Sequence, residues 1–212
     1  MSKPRVRHPF FARFYAWVSP SMERAGAAER RDALLAGLTG RVIDVGAGNG
    51  LNFAHYPPEV TDVLAVEPDP YLRALANSGA ERAPIPIKVV DGVAEDLPAD
   101  DESFDAGVAS FVLCSVADLS QALRELHRAI RPEGQLRFFE HVRADTPGLR
   151  RVQRVLDATV WPALCGGDHT GRDTAAAIED AGFTIQTLDR FRFPETPIPL
   201  PTSPHILGTA IK

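Results

Sequence analysis

The segment 41–50, RVIDVGAGNG, places three alternate glycines directly after a short β-branched run. The run is typical of a buried strand, and the glycines predict a turn whose backbone approaches a ligand closely, where side chains would obstruct it. Open α/β sheets bind ligands beyond the carboxyl ends of their strands, where such turns lie. The segment therefore predicts a strand, a binding turn and a helix over 50–56.

Strand and helix signals alternate along the rest of the chain. We predict strands at 61–66, 85–90, 104–110, 134–142, 183–191 and 205–212. We predict helices from Pro70, at 118–130, at 147–161 and at 172–181, the last with Asp168 and Thr170 as candidate caps. This alternation indicates an α/β fold with a mostly parallel sheet. Five prolines within 194–204 predict an irregular connection there.

Residues 1–37 contain no strand signal and predict two helices across the carboxyl edge of the sheet. Their large apolar residues are Phe10, Phe11, Phe14, Tyr15, Trp17 and Val18, and the flanking basic residues are Arg5, Arg7, His8 and Arg13. Two interpretations stay open. We favour an N-terminal helical lid over a domain at 38–212, and the alternative is weak peripheral contact with an anionic membrane surface.

Length and composition favour one domain and exclude several classes of protein. The 212 residues carry a formal net charge of −5, which disfavours binding to nucleic acid. Cys114 and Cys165 lack metal-ligand spacing, so we expect reduced thiols and no metal. No apolar run reaches the ~18 residues of a membrane span, and no signal-peptide core is present. We therefore expect a cytoplasmic protein.

The carboxylate of Glu67 follows the second predicted strand, about 20 residues after Gly46, where an acid accepts hydrogen bonds from ribose hydroxyls. The glycine spacing is GxGxG, and Leu51 stands where a dinucleotide fingerprint places its last glycine. This departure from the fingerprint disfavours NAD as the bound cofactor. An ordinary surface role for Glu67 stays open as the alternative.

Five segments together resemble the class I methyltransferases that use S-adenosylmethionine: VIDVGAGNG, AVEPD, DLPADDESFD, VLCSV and RPEGQLRFFEHV. The resemblance covers about residues 40–142 and is closest in style to quinone-biosynthesis methyltransferases of the UbiE type. VLDATVW and the final PHILGTAIK are similar to the small-molecule thiol methyltransferases of animals. The resemblance implies a Rossmann-like sheet of seven strands, with helices on both faces and the last strand antiparallel.

The resemblance also implies which residues bind S-adenosylmethionine. They are Asp44, Gly46, Gly48, Gly50, Glu67, Pro68, Val93, Ala94, Ser110 and Phe111. Asp44 would contact the methionyl amine, Glu67 the ribose, and the loop around Ala94 the adenine. The family's usual aspartate is replaced by Val93, so Glu95 or a backbone carbonyl would accept from the adenine amino group. Asp44 as a tether of local backbone is the alternative.

Candidate residues for the acceptor side lie at later strand ends and in a glycine-rich loop. They are Cys114, Glu140, His141, Asp157, Asp168 and His169. We select His141, His169 and Asp157 as catalytic, against structural roles for each, and interpret Cys114 as a small buried hydrophobe.

The expected activity is direct methyl transfer from S-adenosylmethionine to a small, largely apolar acceptor such as a thiol, phenol or quinol. A non-catalytic S-adenosylmethionine-binding module and a nicotinamide-dependent oxidoreductase are the alternatives. The identity of the acceptor and the oligomeric state stay open.

Overall fold

The computed structural model describes residues 9–196 and 199–212. Its helices are α1 (Pro9–Met22), α2 (Ala28–Leu35), α3 (Pro70–Ala80), α4 (Leu119–Ala129), α5 (Pro147–Asp157), α6 (Trp161–Leu164) and α7 (Thr174–Asp180), with a π-helical turn at Glu23–Ala27 and a 3-10 turn at Phe53–His55. Its strands are β1 (Gly40–Val45), β2 (Val60–Val66), β3 (Ile87–Val90), β4 (Phe104–Ser110), β5 (Ile130–His141), β6 (Thr184–Arg192) and β7 (Pro204–Ile211).

The seven strands form one sheet in the order β3-β2-β1-β4-β5-β7-β6. Neighbours among β1 to β5 pair in parallel, and β7 runs antiparallel to both β5 and β6. The expected fold class is confirmed, including the antiparallel last strand. The strand order reverses at β1, because the chain passes from the β2 and β3 side to β4, and the carboxyl ends of β1 and β4 flank this switch point.

Two apolar clusters cover the two faces of the sheet. Phe138 of β5 lies in the cluster that contains Leu123 and Leu126 of α4, whereas its neighbour Phe139 lies in the cluster that contains Leu34 of α2. Consecutive side chains of a strand point to opposite faces, so β5 serves both cores. The leucines at 119, 123 and 126 are four and three residues apart and share one face of α4, and the side chains of Leu123 and Leu126 are fully buried.

Two local predictions are wrong. The helix over 50–56 is reduced to turns and the short 3-10 segment, because Gly50 has a φ of 82° and two prolines follow at 57–58. Asp168 and Thr170 do not cap α7. Its N-terminal flanking residue is Asp173, which makes no side-chain cap.

α1 lies at the carboxyl edge of the sheet, where Tyr15 covers Gly48, whereas α2 packs on one face of the sheet, with Leu34 and Leu35 in the cluster of Phe139. The prediction that both N-terminal helices cross the carboxyl edge is therefore wrong for α2. α1 packs against α3, and Gly26, with a φ of 112°, turns the chain between α1 and α2. Arg5, Arg7 and His8 lie outside the described residues, as does Pro197. In the described part of the chain, the search for membrane-spanning helices finds none of sufficient length and hydropathy.

Replacement of Gly208 by Ala tests the packing of β7. The added Cβ would overlap the Thr187 carbonyl oxygen and lie 2.5 Å from Phe138 Cζ. We expect the free energy of unfolding, measured by urea denaturation, to fall by about 1–3 kcal/mol. Gly148→Ala is the control, since no atom lies within 4 Å of its added Cβ. Equal stability of the two variants would contradict this packing.

Candidate active site

The turn after β1 is built from glycines in the left-handed region. Gly46, Gly48 and Gly50 have φ values of 67°, 58° and 82°, which cost other residues conformational energy. The backbone N–H groups of Gly46 and Ala47 donate to the carbonyl of Val66 at 2.8 and 3.1 Å. These bonds fasten the turn to the end of β2, at the carboxyl edge.

The surroundings of the three glycines differ. A Cβ on Gly46 or Gly50 would collide with buried side chains of the core. A Cβ on Gly48 would lie 3.3 Å from the ring of Tyr15, which belongs to α1. Core packing alone therefore excludes a side chain at two of the positions, whereas Gly48 faces a separate helix.

Glu67 lies beside this turn and is 5% exposed. One carboxylate oxygen accepts from the Gly48 N–H at 2.8 Å, and the other accepts from the Asp69 N–H at 2.8 Å. Burial raises the pKa of Glu67 to about 7. Each carboxylate oxygen offers two lone pairs, so both retain capacity to accept from a ligand hydroxyl.

Asp44, at the end of β1, is buried among polar side chains. Its carboxylate accepts from Asn52 Nδ2 at 3.1 Å and from the hydroxyl of Tyr56 at 3.0 Å. Burial raises the pKa of Asp44 to about 6, although these hydrogen bonds and Arg31 act in the opposite direction. Asp44 thus tethers the segment after the glycine turn and keeps a negative charge within the crevice at neutral pH.

Arg31 of α2 is a site residue that the sequence prediction missed. It is 4% exposed and donates to Glu23, to Asn52 Oδ1 and to Ser110 Oγ. The signal was present, because residues 31, 34, 35 and 38 have the spacing of one apolar helix face and Arg31 occupies the first of these positions. An arginine on such a face needs buried polar partners.

The predicted adenine side is formed by the ends of β2 and β3. Pro68 follows Glu67, Ala94 is 7% exposed, and Val93 forms an isolated bridge with Asp96. The Glu95 carboxylate accepts from the N–H groups of residues 117 and 118, at 2.8 and 3.2 Å. One oxygen of Glu95 therefore orders the start of α4, and Glu95 and a backbone carbonyl both stay candidates for the acceptor that replaces the family's aspartate.

The end of β4 is shaped by Glu140. Its carboxylate accepts from the N–H groups of residues 112, 113 and 114 at 2.9, 3.0 and 3.3 Å, so it serves the turn and not the crevice. Phe111, just before this turn, has a φ of 56°. Non-glycine residues in this region are strained and cluster at functional sites. The ring of Phe111 contacts the ring of His205 at 5.6 Å and faces the Arg31 guanidinium at 5.9 Å.

His141, at the end of β5, forms a buried pair with Asp168. Its Nε2 lies 2.9 Å from one Asp168 oxygen, and Trp161 Nε1 donates to the other at 2.8 Å. Burial lowers the pKa of His141, but the hydrogen bond and charge of Asp168 outweigh burial and leave it above its usual range. His141 Nδ1 is buried and has no hydrogen-bond partner among the described residues.

Cys114, His141 and Asp168 form a compact group whose candidate ligand atoms lie within 4.8 Å of one another. Burial, followed by the charges of Asp168 and Glu140, raises the pKa of Cys114 well above its usual range. The thiol is therefore protonated at neutral pH, as the interpretation of a small buried residue requires. Asp168 is hydrogen-bonded to both His141 Nε2 and Trp161 Nε1, so the arrangement is that of a hydrogen-bond cluster.

The glycine-rich loop brings the other two selected residues to the same region. The His169 N–H donates to the carbonyl of Cys114 at 2.9 Å. Asp157 accepts from the N–H and hydroxyl of Thr170 at 2.7 and 2.9 Å, and from the Gly171 N–H at 3.0 Å. Asp157 thus holds the loop that carries Asp168 and His169.

The crevice fits S-adenosylmethionine by the chemistry of its donors and acceptors. The buried Oδ1 of Asn49, within the glycine turn, has no partner among the described residues and suits a ligand that donates a hydrogen bond. Glu67 offers acceptors for ribose hydroxyls, Asp44 an anion for the methionyl ammonium, and Arg31 a cation for its carboxylate.

Comparison with known proteins agrees with this chemistry. Residues 43–138 match the family model described as a methyltransferase domain. The human thiol S-methyltransferase TMT1B is 32% identical over 218 residues, which cover 96% of this chain and 86% of the human protein. The ubiquinone/menaquinone biosynthesis C-methyltransferase UbiE of Methylobacterium nodulans is 30% identical over 73% of this chain and 60% of its own length.

Among solved structures, an S-adenosylmethionine-dependent methyltransferase from Thermotoga maritima superposes with a TM-score of 0.69. It is 21% identical, and the match covers 95% of this chain and 97% of that protein. The structural match supports the fold, and the match to the human thiol S-methyltransferase extends over nearly the whole chain. They remove the nicotinamide-dependent and non-catalytic alternatives: the chain belongs to the class I S-adenosylmethionine-dependent methyltransferases and is related to the thiol S-methyltransferases and to UbiE.

Proposed function

We propose that this methyltransferase methylates the sulfur of a small, largely apolar thiol. The observation that carries the proposal is the buried His141, whose Nε2 is held by Asp168 while its Nδ1 has no partner among the described residues. The relatives named thiol S-methyltransferases, one of them covering 96% of the chain, support the same acceptor class.

The cofactor-binding roles follow from the charges of the crevice. Asp44 and Arg31 are opposite charges at one end and match the ammonium and carboxylate of a methionyl group. Glu67 accepts from the ribose hydroxyls, and the turn at 46–50 supplies bare backbone beside the methionyl chain. Bound S-adenosylmethionine supplies an electrophilic methyl group, so the protein needs no nucleophile of its own.

The adenine and sulfonium ends complete the binding site. Pro68, Val93 and Ala94 border the adenine, with Glu95 or a backbone carbonyl as acceptor for its amino group. Ser110 and Phe111 border the sulfonium at the end of β4. The Ser110 hydroxyl is held by Arg31 at 3.1 Å, so the same guanidinium orders both ends of the methionyl pocket.

His141 acts as the base for the acceptor. When Nε2–H donates to Asp168, Nδ1 carries the free lone pair and accepts the proton that the thiol sulfur loses. Asp168 then stabilises the imidazolium. Proton transfer to an imidazole is less unfavourable from a thiol, whose pKa is near ~8.5, than from a phenol, whose pKa is near ~10. The imidazole of His141 therefore suits a thiol acceptor better.

On the side of His205, opposite the charged Asp168, the surroundings of His141 are apolar or neutral. His205 lies 6.1 Å from His141 between ring centroids, and it packs against Phe111, Phe139 and Phe191. Burial lowers the pKa of His205 to about 4, so this ring is uncharged at neutral pH. Such a wall favours an apolar acceptor body with one polar sulfur.

The remaining selected residues act on the loop that closes the acceptor side. Asp157 positions this loop through its three hydrogen bonds to residues 170 and 171. His169, next to Asp168 in the loop, faces the acceptor in this proposal. Within the N-terminal segment, α1 acts as a lid, since Tyr15 covers Gly48 and Ser19 Oγ accepts from Asn49 Nδ2.

A panel of acceptors tests the proposed substrate class. Purified protein is incubated with methyl-labelled S-adenosylmethionine and with a thiol, a phenol, a quinol and an amine that share one apolar body. We expect label in the thioether product alone. Label in the phenol or quinol product, with none on the thiol, would contradict the proposal.

Glu67→Gln tests the ribose contact and its dependence on pH. We expect the affinity for S-adenosylhomocysteine, measured by calorimetry at pH 8, to weaken by about 1–3 kcal/mol. Since the pKa of Glu67 is raised to about 7, the carboxylate is protonated below this value, and the wild-type affinity falls as the pH drops through 7. The variant loses this inflection.

The inflection from Asp44, whose pKa is about 6, stays in the Glu67→Gln variant. Glu81→Gln, on the exposed end of α3, is the matched control and should leave affinity and its pH profile unchanged. A Glu67→Gln protein with wild-type affinity at pH 8 would show that this carboxylate does not hold the ribose.

His141→Gln tests the proton acceptor. We expect kcat with a thiol to fall about 100-fold or more at pH 7, with unchanged affinity for S-adenosylhomocysteine. The deficit should shrink above the thiol pKa of ~8.5, because the acceptor then ionises in solution. His127→Gln, on α4 against Phe183, is the control. A deficit that is the same at pH 7 and pH 10 would point to a structural role.

A further inference from the structure

Trp161, the first residue of α6, makes a polar contact beside the proposed base. Its indole Nε1 donates to Asp168 Oδ2 at 2.8 Å, and Asp168 Oδ1 lies 2.9 Å from His141 Nε2. An indole N–H can only donate, and an ionised carboxylate can only accept. Each oxygen of Asp168 therefore receives one of the two donors, and the three side chains form a hydrogen-bonded chain from Trp161 to His141.

The backbone between Trp161 and Asp168 is folded so that the two side chains meet. The N–H groups of Cys165 and Gly167 donate to the carbonyls of residues 161 and 162, each at 2.8 Å. Gly166 and Gly167 have φ values of 66° and 93°, a region that other residues adopt only at a cost. The contact between Trp161 and Asp168 is therefore built into the reversal of the chain after α6.

Burial makes the second donor important for Asp168. The residue is 8% exposed, and a buried charge is tolerated when its oxygens are hydrogen-bonded. Burial acts to raise the pKa of Asp168, but the bond and charge of His141, together with the bonds from Trp161 and Cys114, hold this pKa below its usual value. The final torsion of an aspartate is soft, so a carboxylate held at Oδ1 alone is free to rotate. The Trp161 bond at Oδ2 removes this freedom.

Other titratable or charged side chains surround the pair of His141 and Asp168. They are Cys114, Glu140, Asp157, Arg172 and His205. The carboxylates of Glu140 and Asp157 accept from backbone N–H groups, and Arg172 donates to two backbone carbonyls at 2.6 and 2.7 Å. Burial lowers the pKa of His205 to about 4, so His205 is uncharged at neutral pH. Asp168 is thus the carboxylate that bonds the imidazole of His141 directly.

We infer that Trp161 is a positioning residue for the proposed base: its N–H fixes the Asp168 carboxylate, so that His141 keeps a proton on Nε2 and a lone pair on Nδ1. The indole bond also draws negative charge toward Oδ2, which weakens the attraction of Asp168 for the imidazolium. Without the indole N–H, His141 would therefore hold its second proton more tightly and become neutral only at a higher pH. The inference rests on the proposed function, because it assigns Trp161 to the same proton transfer.

An isosteric change of the indole tests the inference with the packing preserved. The 212 residues contain two tryptophans, and the other one, Trp17, is 76% exposed. In a Trp17→Phe chain, biosynthetic incorporation of 3-benzothienylalanine therefore replaces the N–H of Trp161 alone, by a sulfur atom that donates no hydrogen bond. The same Trp17→Phe chain made with ordinary tryptophan is the matched reference.

The titration of His141 is followed by NMR of ¹⁵N-labelled histidine, with the signals assigned by their loss in His141→Gln. In the reference protein we expect the neutral ring to carry its proton on Nε2. In the sulfur-containing protein we expect the pKa of His141 to rise by about one pH unit, which is the size of one hydrogen bond to a charged group. This measurement needs neither cofactor nor acceptor.

Turnover of a thiol is the second readout. We expect kcat on the acid side of the pH profile to fall about tenfold, because a shift of about one pH unit leaves a tenfold smaller fraction of His141 neutral there. The deficit should shrink above the shifted pKa, and the affinity for S-adenosylhomocysteine should stay unchanged. Trp161→Phe, which also removes the N–H, should show the same dependence on pH. Trp17→Phe alone should behave as the wild type does.

An unshifted His141 titration in the sulfur-containing protein would overturn the inference, and a kcat deficit that does not vary with pH would assign Trp161 to packing alone. A shifted titration with unchanged kcat would confirm that Trp161 controls His141 and would overturn the base in the proposed function. The two failures are therefore distinguishable. Circular dichroism of each protein establishes that it is folded before it is measured.

Discussion

A single buried cation organises the crevice of this protein. Arg31 is almost fully removed from water, and a guanidinium in that position is tolerated only when charged or polar partners surround it. Its partners come from separate parts of the chain: Glu23 from the π-helical turn, Asn52 from the segment after the glycines, and Ser110 from the end of β4. Asn52 in turn bonds Asp44. One side chain therefore links the N-terminal helices to the sheet and places a positive charge at the carboxyl end of β4.

Methyl transfer requires little acid–base chemistry from the protein, and most charged side chains of the site order the backbone around it. Methyl transfer depends mainly on alignment of the reactants, which can supply several kcal/mol of the barrier. The buried acids Glu67 and Glu140 use their oxygens first to order backbone turns, and Asp157 does the same for the loop beside the acceptor. The buried carboxylates thus order the loops around the site. The Nδ1 of His141 has no hydrogen-bond partner among the described residues.

Local patterns in the sequence were enough to predict most of the sheet. Strand runs, the α4 face and the glycine turn each depend on residues close together in the chain. The prediction of a helix over 50–56 failed because Gly50 and the prolines at 57–58 act against it at its two ends. The helix spacing indicates that Arg31 is buried, but it does not identify the partners of Arg31. These partners lie 8, 21 and 79 positions away, and no local pattern specifies them. For the same reason, the sequence did not predict that Glu95 accepts hydrogen bonds from the backbone at the start of α4. The lid and the site assignments stay predictions.

α1 touches the glycine turn with Tyr15 and turns Trp17 to solvent, so one rigid element forms a wall of the crevice and an outer face of the molecule. A ligand whose binding requires α1 to move, and a partner surface that fixes α1 in one position, act on the same displacement of the helix. Binding of the one therefore hinders or helps binding of the other. Thermodynamic reciprocity then demands that each alters the binding constant of the other by an equal factor, whichever arrives first. If a partner bound the outer face of α1, its binding and that of a ligand beside Tyr15 would be coupled in this way.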